Sequence, residues 1–516
     1  MENLSLPLQF ANTVKKYAQH TVINFMGKKT DFQTLDQFSD KVCAELQHNG
    51  IQKSDRVALY CVNSDAFVIA YLGIIKAGAT VIPINLLLTP AEISYILNDA
   101  GAKGIIYHEA FTQNISALRN EVPSLNFLCH IGSGTSDTGD TDFSQLLDSD
   151  KTPLAVEIEP AQDLAAILYT SGTTGKPKGA MLTHKNLLSN TQSVVQACHL
   201  KPGEDVILTT LPMFHAFAAT VCMLTPMLHG LTIVPIPKFE PNLLADAIEQ
   251  NQATILPAVP SMYNVLLNFS DEQINKFKSL RYCISGGAAM PEEVMKQFEK
   301  KFAIPIYEGY GPTECSPVTN VNPIGGTRKI LSVGLPLPEV QMQIMDETGK
   351  VLPNNEVGEI CVKGPNVMKG YWNRPEDTAQ AFYGEWFRTG DLGKKDDDGY
   401  YFIVDRIKDM VIVNGMNVYP RIVEEVLYQH PDIKESAVLG LKDGLHGEIV
   451  AAFIVTDNPT LKSADIRKFC SDKLGRYQIP KKYFFVDELP KNAAGKILKR
   501  ELKAQQESLS KEPLIN

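Results

Sequence analysis

Residues 164–179 read LAAILYTSGTTGKPKG, and the junction inside them decides what the chain can be. Leu164 to Leu168 form an apolar run of strand type that empties directly into a loop. That loop, 169–179, packs three glycines, four Ser or Thr hydroxyls and two lysines into eleven positions. Glycines let backbone N–H groups approach an anion, hydroxyls donate hydrogen bonds, and a lysine supplies charge. The loop is not of the Walker A type: no glycine stands four residues before Gly175-Lys176, and Pro177 replaces the Ser or Thr that would hold magnesium. A Gly/Thr-rich surface loop is the plain alternative. A strand feeding straight into the loop favours a phosphate cradle over it.

Working outward, the preceding hundred residues alternate strand and helix. Residues 56–62 (RVALYCV) read as a strand, 66–76 as a helix ending at Gly78, and 79–85 as the next strand. Thr89-Pro90-Ala91-Glu92 supplies an N-cap, a proline at the first helical position and a glutamate that closes a capping box. That helix stops at Gly101, and 104–108 (GIIYH) is a further strand. The alternation predicts an α/β fold with parallel sheets covered on both faces. Residues 132–142 (GSGTSDTGDTD) read as an exposed polar loop. Near residue 400 the character changes to short α/β alternation ending in a lysine-rich tail. The expected organisation is a large N-terminal domain of α/β sheets over 1–404, a hinge at 405–408, and a small mobile α+β domain over 409–516.

Composition narrows the class. With 516 residues the chain exceeds one ordinary domain. Fifty-nine acidic against 49 basic residues give a net charge of -10, which argues against nucleic acid as a partner. The nine cysteines are dispersed without a CxxC pair, so a disulfide framework or zinc site is not expected. The N-terminal residues lack an apolar signal core, and a cytoplasmic location follows as the expectation. From Val206 to Pro237 no residue is charged, a length able to span a bilayer. Pro212, Pro226, Pro235 and Pro237 break that stretch, so it reads as buried interior and as the wall of an apolar pocket, with no transmembrane segment. Peripheral contact at the inner membrane face stays open.

YTSGTTGKPKG resembles the signature loop of the adenylate-forming superfamily, which contains acyl-CoA synthetases, peptide-synthetase adenylation domains and beetle luciferases. Six further motifs of that family follow in order: PMFHAFA (212–218), SGGAAMP (285–291), YEGYGPTE (307–314), WFRTGD (386–391), DRIKDMVIVNGMNVYP (405–420) and PKNAAGKILKR (490–500). The resemblance covers essentially the whole chain. It implies ATP contacts at Thr170, Ser171, Gly172, Thr173, Thr174, Gly175 and Lys178 of the loop. Further nucleotide contacts are implied at Gly286, Gly287, Ala288, Glu308, Gly309, Tyr310, Gly311 and Thr313, with Tyr310 stacking on adenine and Thr313 bonding the α-phosphate. Glu314 is implied as the ligand of Mg2+, a role that suits a hard oxygen donor. Asp391 and Arg406 are implied at the ribose, Asp391 accepting from both hydroxyls.

Lys496 matches the family's catalytic lysine. An ammonium there would steady negative charge gathering on the acid and phosphate oxygens. The neighbouring Lys491, Lys499 and Arg500 read as solvated. Thr313 and His215 complete the implied catalytic set; His215, Val259, Gly287 and Gly311 border the acyl group. Gly415 and Asn417 line the coenzyme A channel, and Lys408 is the hinge. The family often continues after the motif proline with x-Glu-Ile-Glu; here Pro420 is followed by Arg421-Ile422-Val423-Glu424.

Amino-acid-activating relatives carry an aspartate where His215 stands, and a buried ammonium without a carboxylate would be costly. Residues 255–267 (ILPAVPSMYNVLL) resemble the acyl-side wall of fatty-acid–CoA ligases. The expected reaction converts a fatty acid, ATP and coenzyme A through an acyl-adenylate to acyl-CoA. The alternatives are an aryl-acid ligase, a fatty-acyl-AMP ligase serving a carrier protein, and a non-catalytic nucleotide-binding regulator.

Overall fold

The computed structural model describes residues 4–132, 139–170, 176–444, 446–492 and 495–509. Two large sheets build the N-terminal domain. In one, the strands Thr80–Pro83, Arg56–Tyr60, Gly104–His108 and Phe127–Ile131 run parallel. Leu164–Thr170 joins that run in parallel, and Lys178–Thr183 folds back antiparallel against it. The other sheet runs Ile306–Tyr310, Tyr282–Ser285, Ile255–Ala258, Val206–Thr209, Thr232–Pro235, Thr21–Phe25, extended at both edges.

The period of two along Arg56–Tyr60 assigns its faces. Val57 and Leu59 enter the core shared with the second sheet, while Ala58 and Tyr60 enter a separate core under the helix Pro90–Ala100. That helix starts and stops as its sequence dictates. Thr89 and Glu92 form the reciprocal capping box, and Gly101 closes it with a left-handed φ of 61°. The uncharged stretch 206–237 is nearly all buried. Its middle, Ala218–Leu224, winds as a wide π-type turn before the short helix Thr225–His229. Among the described residues no helix is long and apolar enough to cross a membrane.

Two features differ from the reading above. The expectation of parallel sheets misses an antiparallel five-stranded sheet built from Gln341–Met345, Gly358–Lys363, Phe382–Tyr383, Trp386–Lys395 and Tyr401–Arg406. Residues 132–142 are not simply an exposed loop. Thr141–Asp142 pairs with the sheet edge, and Asp140 is buried against Tyr107 and Arg119; residues 133–138 lie outside the described set. The nine cysteines are free and buried.

After Arg406 a single 3-10 turn, Ile407–Asp409, leads to Val411–Val413, a strand of the last sheet. That sheet also holds Met416–Val418, Gly447–Val455, Glu435–Asp443 and Lys482–Phe485. The buried hydrophobic residues of this region form two clusters separate from the large core, against which Tyr428 alone of the helix Pro420–Tyr428 is packed, so the C-terminal domain carries its own interior.

Candidate active site

Most of the motif loops of the two large sheets leave the carboxyl ends of parallel strands, where open α/β sheets bind ligands; Asp391 and Arg406 come from the antiparallel sheet and Lys496 from the C-terminal domain. Thr170 ends one strand of the first sheet. In the second sheet, Thr210 to His215 follow Val206–Thr209, Val259 follows Ile255–Ala258, Gly286-Gly287 follow Tyr282–Ser285, and Gly311 to Glu314 follow Ile306–Tyr310. Gly311 has no alternative there: a Cβ on it would lie 1.7 Å from the Pro317 carbonyl oxygen.

At the phosphate end, the base of the glycine-rich loop is tied by Thr170 Oγ1 donating to the Lys178 carbonyl at 3.5 Å. Ser171, Gly172, Thr173, Thr174 and Gly175 lie outside the described residues. Lys178 Nζ pairs with Asp377 Oδ1 at 2.6 Å. Glu314 is largely enclosed, and its Oε1 accepts the Tyr371 hydroxyl at 2.9 Å. Burial raises its carboxyl pKa, and the nearby Asp391 adds to the rise while the Tyr371 bond and Arg406 oppose it. Such a carboxylate gains from a hard cation. Among the described residues no cluster of three or more His, Cys, Asp or Glu side chains could hold a metal. The single hard oxygen donor of Glu314 fits Mg2+, which takes one or two carboxylates and shares its shell with substrate phosphates.

Asp391 is buried yet not saturated. Tyr310 donates its hydroxyl to Oδ2 at 2.6 Å, and Arg406 Nε stands 3.3 Å from Oδ1. A carboxylate offers about four acceptor sites, so two remain for a diol. The turn below is braced by Glu359, which accepts from Arg388 Nε at 2.9 Å and from the Gly390 N–H at 3.1 Å.

The C-terminal domain delivers Lys496 into this cleft. Asn492 Oδ1 accepts the Lys496 N–H at 2.9 Å, and Asn492 donates its own N–H back to the Lys496 carbonyl. Gly495 takes φ 77° and lies against the large domain, where a Cβ would come within 2.8 Å of Val259 Cγ2. Ser261 donates to the Gly495 carbonyl at 3.3 Å. Burial lowers the Lys496 ammonium to about 8, helped by Arg406 and Lys408 and opposed by Asp391 and Asp409. His215 is its neighbour. Burial first, and then the Lys496 charge, push that imidazole down to about 4. His215 Nδ1 accepts the Phe217 N–H at 3.4 Å, which leaves the neutral ring's proton on Nε2.

Beside His215 opens a narrow cavity of about 60 Å3. Its walls include Val194, Cys198, Val221, Ile284, Val318 and Val321. Among the described residues no lining side chain is Asp, Glu, Lys or Arg. Gly287 and Gly311 border it, as does Thr313, whereas Val259 stands between Gly287 and Gly495 rather than in the lining.

Other candidates are placed differently. Glu308 turns its carboxyl away from the cleft, accepting the Met290 N–H at 3.2 Å and facing Arg421 of the C-terminal domain at 3.9 Å. Any nucleotide contact there would fall to the main chain. Ala288 is half-buried in its loop, and Gly415 and Asn417 are solvent-exposed on the hairpin Val411–Val418. Lys408 is exposed within the turn Ile407–Asp409. Lys491 and Lys499 are not merely solvated: they pair with Glu435 at 2.6 Å and Glu424 at 2.8 Å. The sequence reading missed Tyr371 and Asp377. The only local signal was Pro375, a helix-start mark beside them.

Residues 10–372 match the family model described as AMP-binding enzyme, and 422–496 match that of the AMP-binding enzyme C-terminal domain. A long-chain-fatty-acid–CoA ligase of Bacillus subtilis is 37% identical, covering 97% of this chain and 94% of that one. Long-chain-fatty-acid–CoA ligase FadD13 of Mycobacterium tuberculosis is 35% identical, covering 98% and 99%. Among solved structures, ATP-bound MatB from Rhodopseudomonas palustris is 33% identical with a TM-score of 0.90, covering 98% of this chain and 100% of that one. The same protein without ligand scores 0.80 over 99% and 100%.

Proposed function

The chain belongs to the AMP-binding enzyme family, and from that premise we propose that it is a fatty-acid–CoA ligase. It joins a fatty acid to ATP with release of pyrophosphate, then passes the acyl group to coenzyme A with release of AMP. The observation that carries the choice of acid is an apolar cavity, without a charged wall residue, opening beside Lys496 and His215 in a chain 37% identical to a long-chain-fatty-acid–CoA ligase. An amino acid or a dicarboxylate would bury an unpaired charge there.

In the first half-reaction a carboxylate oxygen attacks the α-phosphorus, forming the acyl–phosphate bond as the bond to pyrophosphate breaks. Lys496, with its ammonium near pKa 8, is mostly cationic at neutral pH and meets the growing negative charge without giving up its proton. The His215 Nε2–H offers a neutral donor at the junction of acyl chain and phosphate. Asp391, already oriented by Tyr310 and Arg406, receives the ribose hydroxyls. Glu314 would hold the Mg2+, which when bound offsets phosphate charge. In the second half-reaction the thiol sulfur attacks the acyl carbonyl and the bond to AMP breaks.

Lys496 and the exposed Gly415–Asn417 hairpin cannot serve one cleft together. The arrangement with Lys496 inserted corresponds to adenylate formation, a reading supported by the better match to the ATP-bound than to the ligand-free relative. Thioester formation would then need rotation about the turn holding Lys408, bringing Gly415 and Asn417 to the pantetheine arm.

The test is acid-dependent pyrophosphate release across straight-chain and aryl acids, with and without coenzyme A. Release that rises with chain length, and acyl-CoA as product, is expected. A preference for aryl acids, or release without thioester formation, overturns the assignment.

A further inference from the structure

Glu314 and Lys178 carry opposite charges on neighbouring loops, yet they do not pair with each other. Tyr371 stands between them. Its hydroxyl donates to Glu314 Oε1 at 2.9 Å, and its ring faces Lys178 Nζ at 5.5 Å from the centroid. The ammonium is drawn the other way by Asp377 at 2.6 Å. An aromatic ring suits this place because its edge hydroxyl and its π face satisfy an anion and a cation at once.

The backbone holds the tyrosine there. Gly370–Tyr371 pairs antiparallel with Lys178–Thr183, the strand leaving the glycine-rich loop. Met368 donates its N–H to the Glu314 carbonyl at 2.7 Å, and Trp372 donates its own to the Gly179 carbonyl at 2.8 Å. The Tyr371 N–H is taken by Thr378 Oγ1 at 2.9 Å, and Arg374 anchors the far end on Asp99 at 3.0 Å. One short segment therefore fixes the loop exit and the Glu314 turn to a common frame.

We propose that Tyr371 is a positioning residue for the triphosphate: it keeps Lys178, which is held on Asp377, from neutralising Glu314, so that the carboxylate remains free for the divalent cation. This rests on the assignment of Glu314 and Lys178 made above. The hydroxyl orients one Glu314 oxygen and leaves the other for a metal. Without it, that carboxylate would be free to turn toward the lysine.

The test uses the full chain with Mn2+ as probe and a non-hydrolysable ATP analogue, bound Mn2+ being counted by electron paramagnetic resonance. Tyr371→Phe is expected to weaken Mn2+ binding to the analogue complex about tenfold, the effect of losing a hydrogen bond to a charged group. The acid's KM and the thermal midpoint stay unchanged. In the double variant with Glu314→Gln, the tyrosine change adds nothing further, because both act through one contact. Wild-type Mn2+ binding in Tyr371→Phe, or full additivity, overturns the proposal. If Glu314→Gln alone binds Mn2+ normally, the metal assignment is what fails. Should Tyr371→Phe not fold, Thr378→Val, which removes the acceptor of the Tyr371 N–H, probes the same positioning: weaker Mn2+ binding supports it and unchanged binding overturns it.

Discussion

The two ends of the cleft are built on opposite principles. At the nucleotide end Lys178, Glu314, Tyr310, Asp391 and Arg406 are each held by a named partner, and two of those partners, Tyr371 and Asp377, come from distant segments. At the acyl end no Asp, Glu, Lys or Arg among the described residues lines the cavity, and its walls are mostly Val, Ile, Cys, Ala, Phe and Pro with backbone glycines, His215, Ser285, Tyr310 and Thr313 being the polar members. A charged ligand is recognised by directed contacts, each strong and each breakable by one substitution. An alkyl chain is recognised by area, about 0.8 kcal/mol per methylene, so its determinants are spread and individually small. Single substitutions should therefore cost far more at the first end than at the second.

The largest effect is expected at Lys496. Lys496→Ala removes the cation that the C-terminal domain places near Asp391 and His215. Adenylate formation should fall roughly a thousandfold, the scale of losing one preorganised charge stabiliser. The variant given preformed acyl-adenylate should make thioester at a near wild-type rate. Equal loss in both half-reactions would remove the distinction drawn for this lysine.

Next in size is the turn between the domains. Proline at position 408 fixes φ near −65°, a value that the 3-10 turn Ile407–Asp409 already suits, and so opposes rotation to any other state. Lys408→Pro should retain adenylate formation and lose thioester formation on the order of a hundredfold, the inverse of Lys496→Ala, as expected when backbone dihedrals there absorb the motion. Half-reactions measured separately decide it; normal thioester rates would move the pivot elsewhere.

The same contrast explains what could be read from sequence. The glycine-rich loop, Thr313-Glu314, Asp391 and Lys496 stood out in the sequence because the roles proposed for them, at phosphate, metal and ribose, call for particular residue types in short contiguous runs. The layer of alternating strands and helices was legible from periodicity. The antiparallel sheet 341–406 was not, since its strands are separated by irregular turns. Tyr371 was invisible for another reason: its partner Glu314 lies 57 residues earlier, and only the fold brings them together. Glu308 sits inside a legible motif, yet its carboxyl accepts the Met290 N–H and faces Arg421 of the C-terminal domain, contacts that no local pattern announces. The acyl walls gave only an uncharged stretch, because any aliphatic side chain of the right volume would serve.

A smaller effect tests the acyl end directly. Val221 lies on the wide turn Ala218–Leu224 and reaches the cavity wall. Val221→Phe should shorten the preferred acid by a few methylenes, each worth about fourfold in kcat/KM at roughly 0.8 kcal/mol. The KM for ATP should not move. A chain-length profile identical to wild type would place the acyl chain elsewhere.

The smallest effect lies behind the nucleotide end, where the domains meet through carboxyls. Glu425, on the helix Pro420–Tyr428, accepts the N–H of Glu292 at 3.4 Å across the interface. Arg421 is the guanidinium facing it and Glu308; Glu292 and Glu424 add negative charge, although Glu424 is paired with Lys499. Burial raises both Glu308 and Glu425 to about 7, from an ordinary value of 4.5. Because the docked arrangement binds these protons more tightly, its advantage is full below about 4.5 and is lost as pH rises through about 7. Raising the pH across neutrality should thus release the C-terminal domain from the adenylating orientation. Glu425→Gln keeps the shape and stays neutral, so it should remove part of that dependence and leave the share due to Glu308. A donor and acceptor dye pair, one in each domain, reads the orientation between pH 6 and 8. Wild type should lose the docked population a few-fold over that range, and Glu425→Gln visibly less, since a one-unit difference in a coupled pKa is about 1.4 kcal/mol at most. A flat wild-type profile would mean that Arg421 alone neutralises the interface, and that the carboxyls there have no part in setting the domain equilibrium.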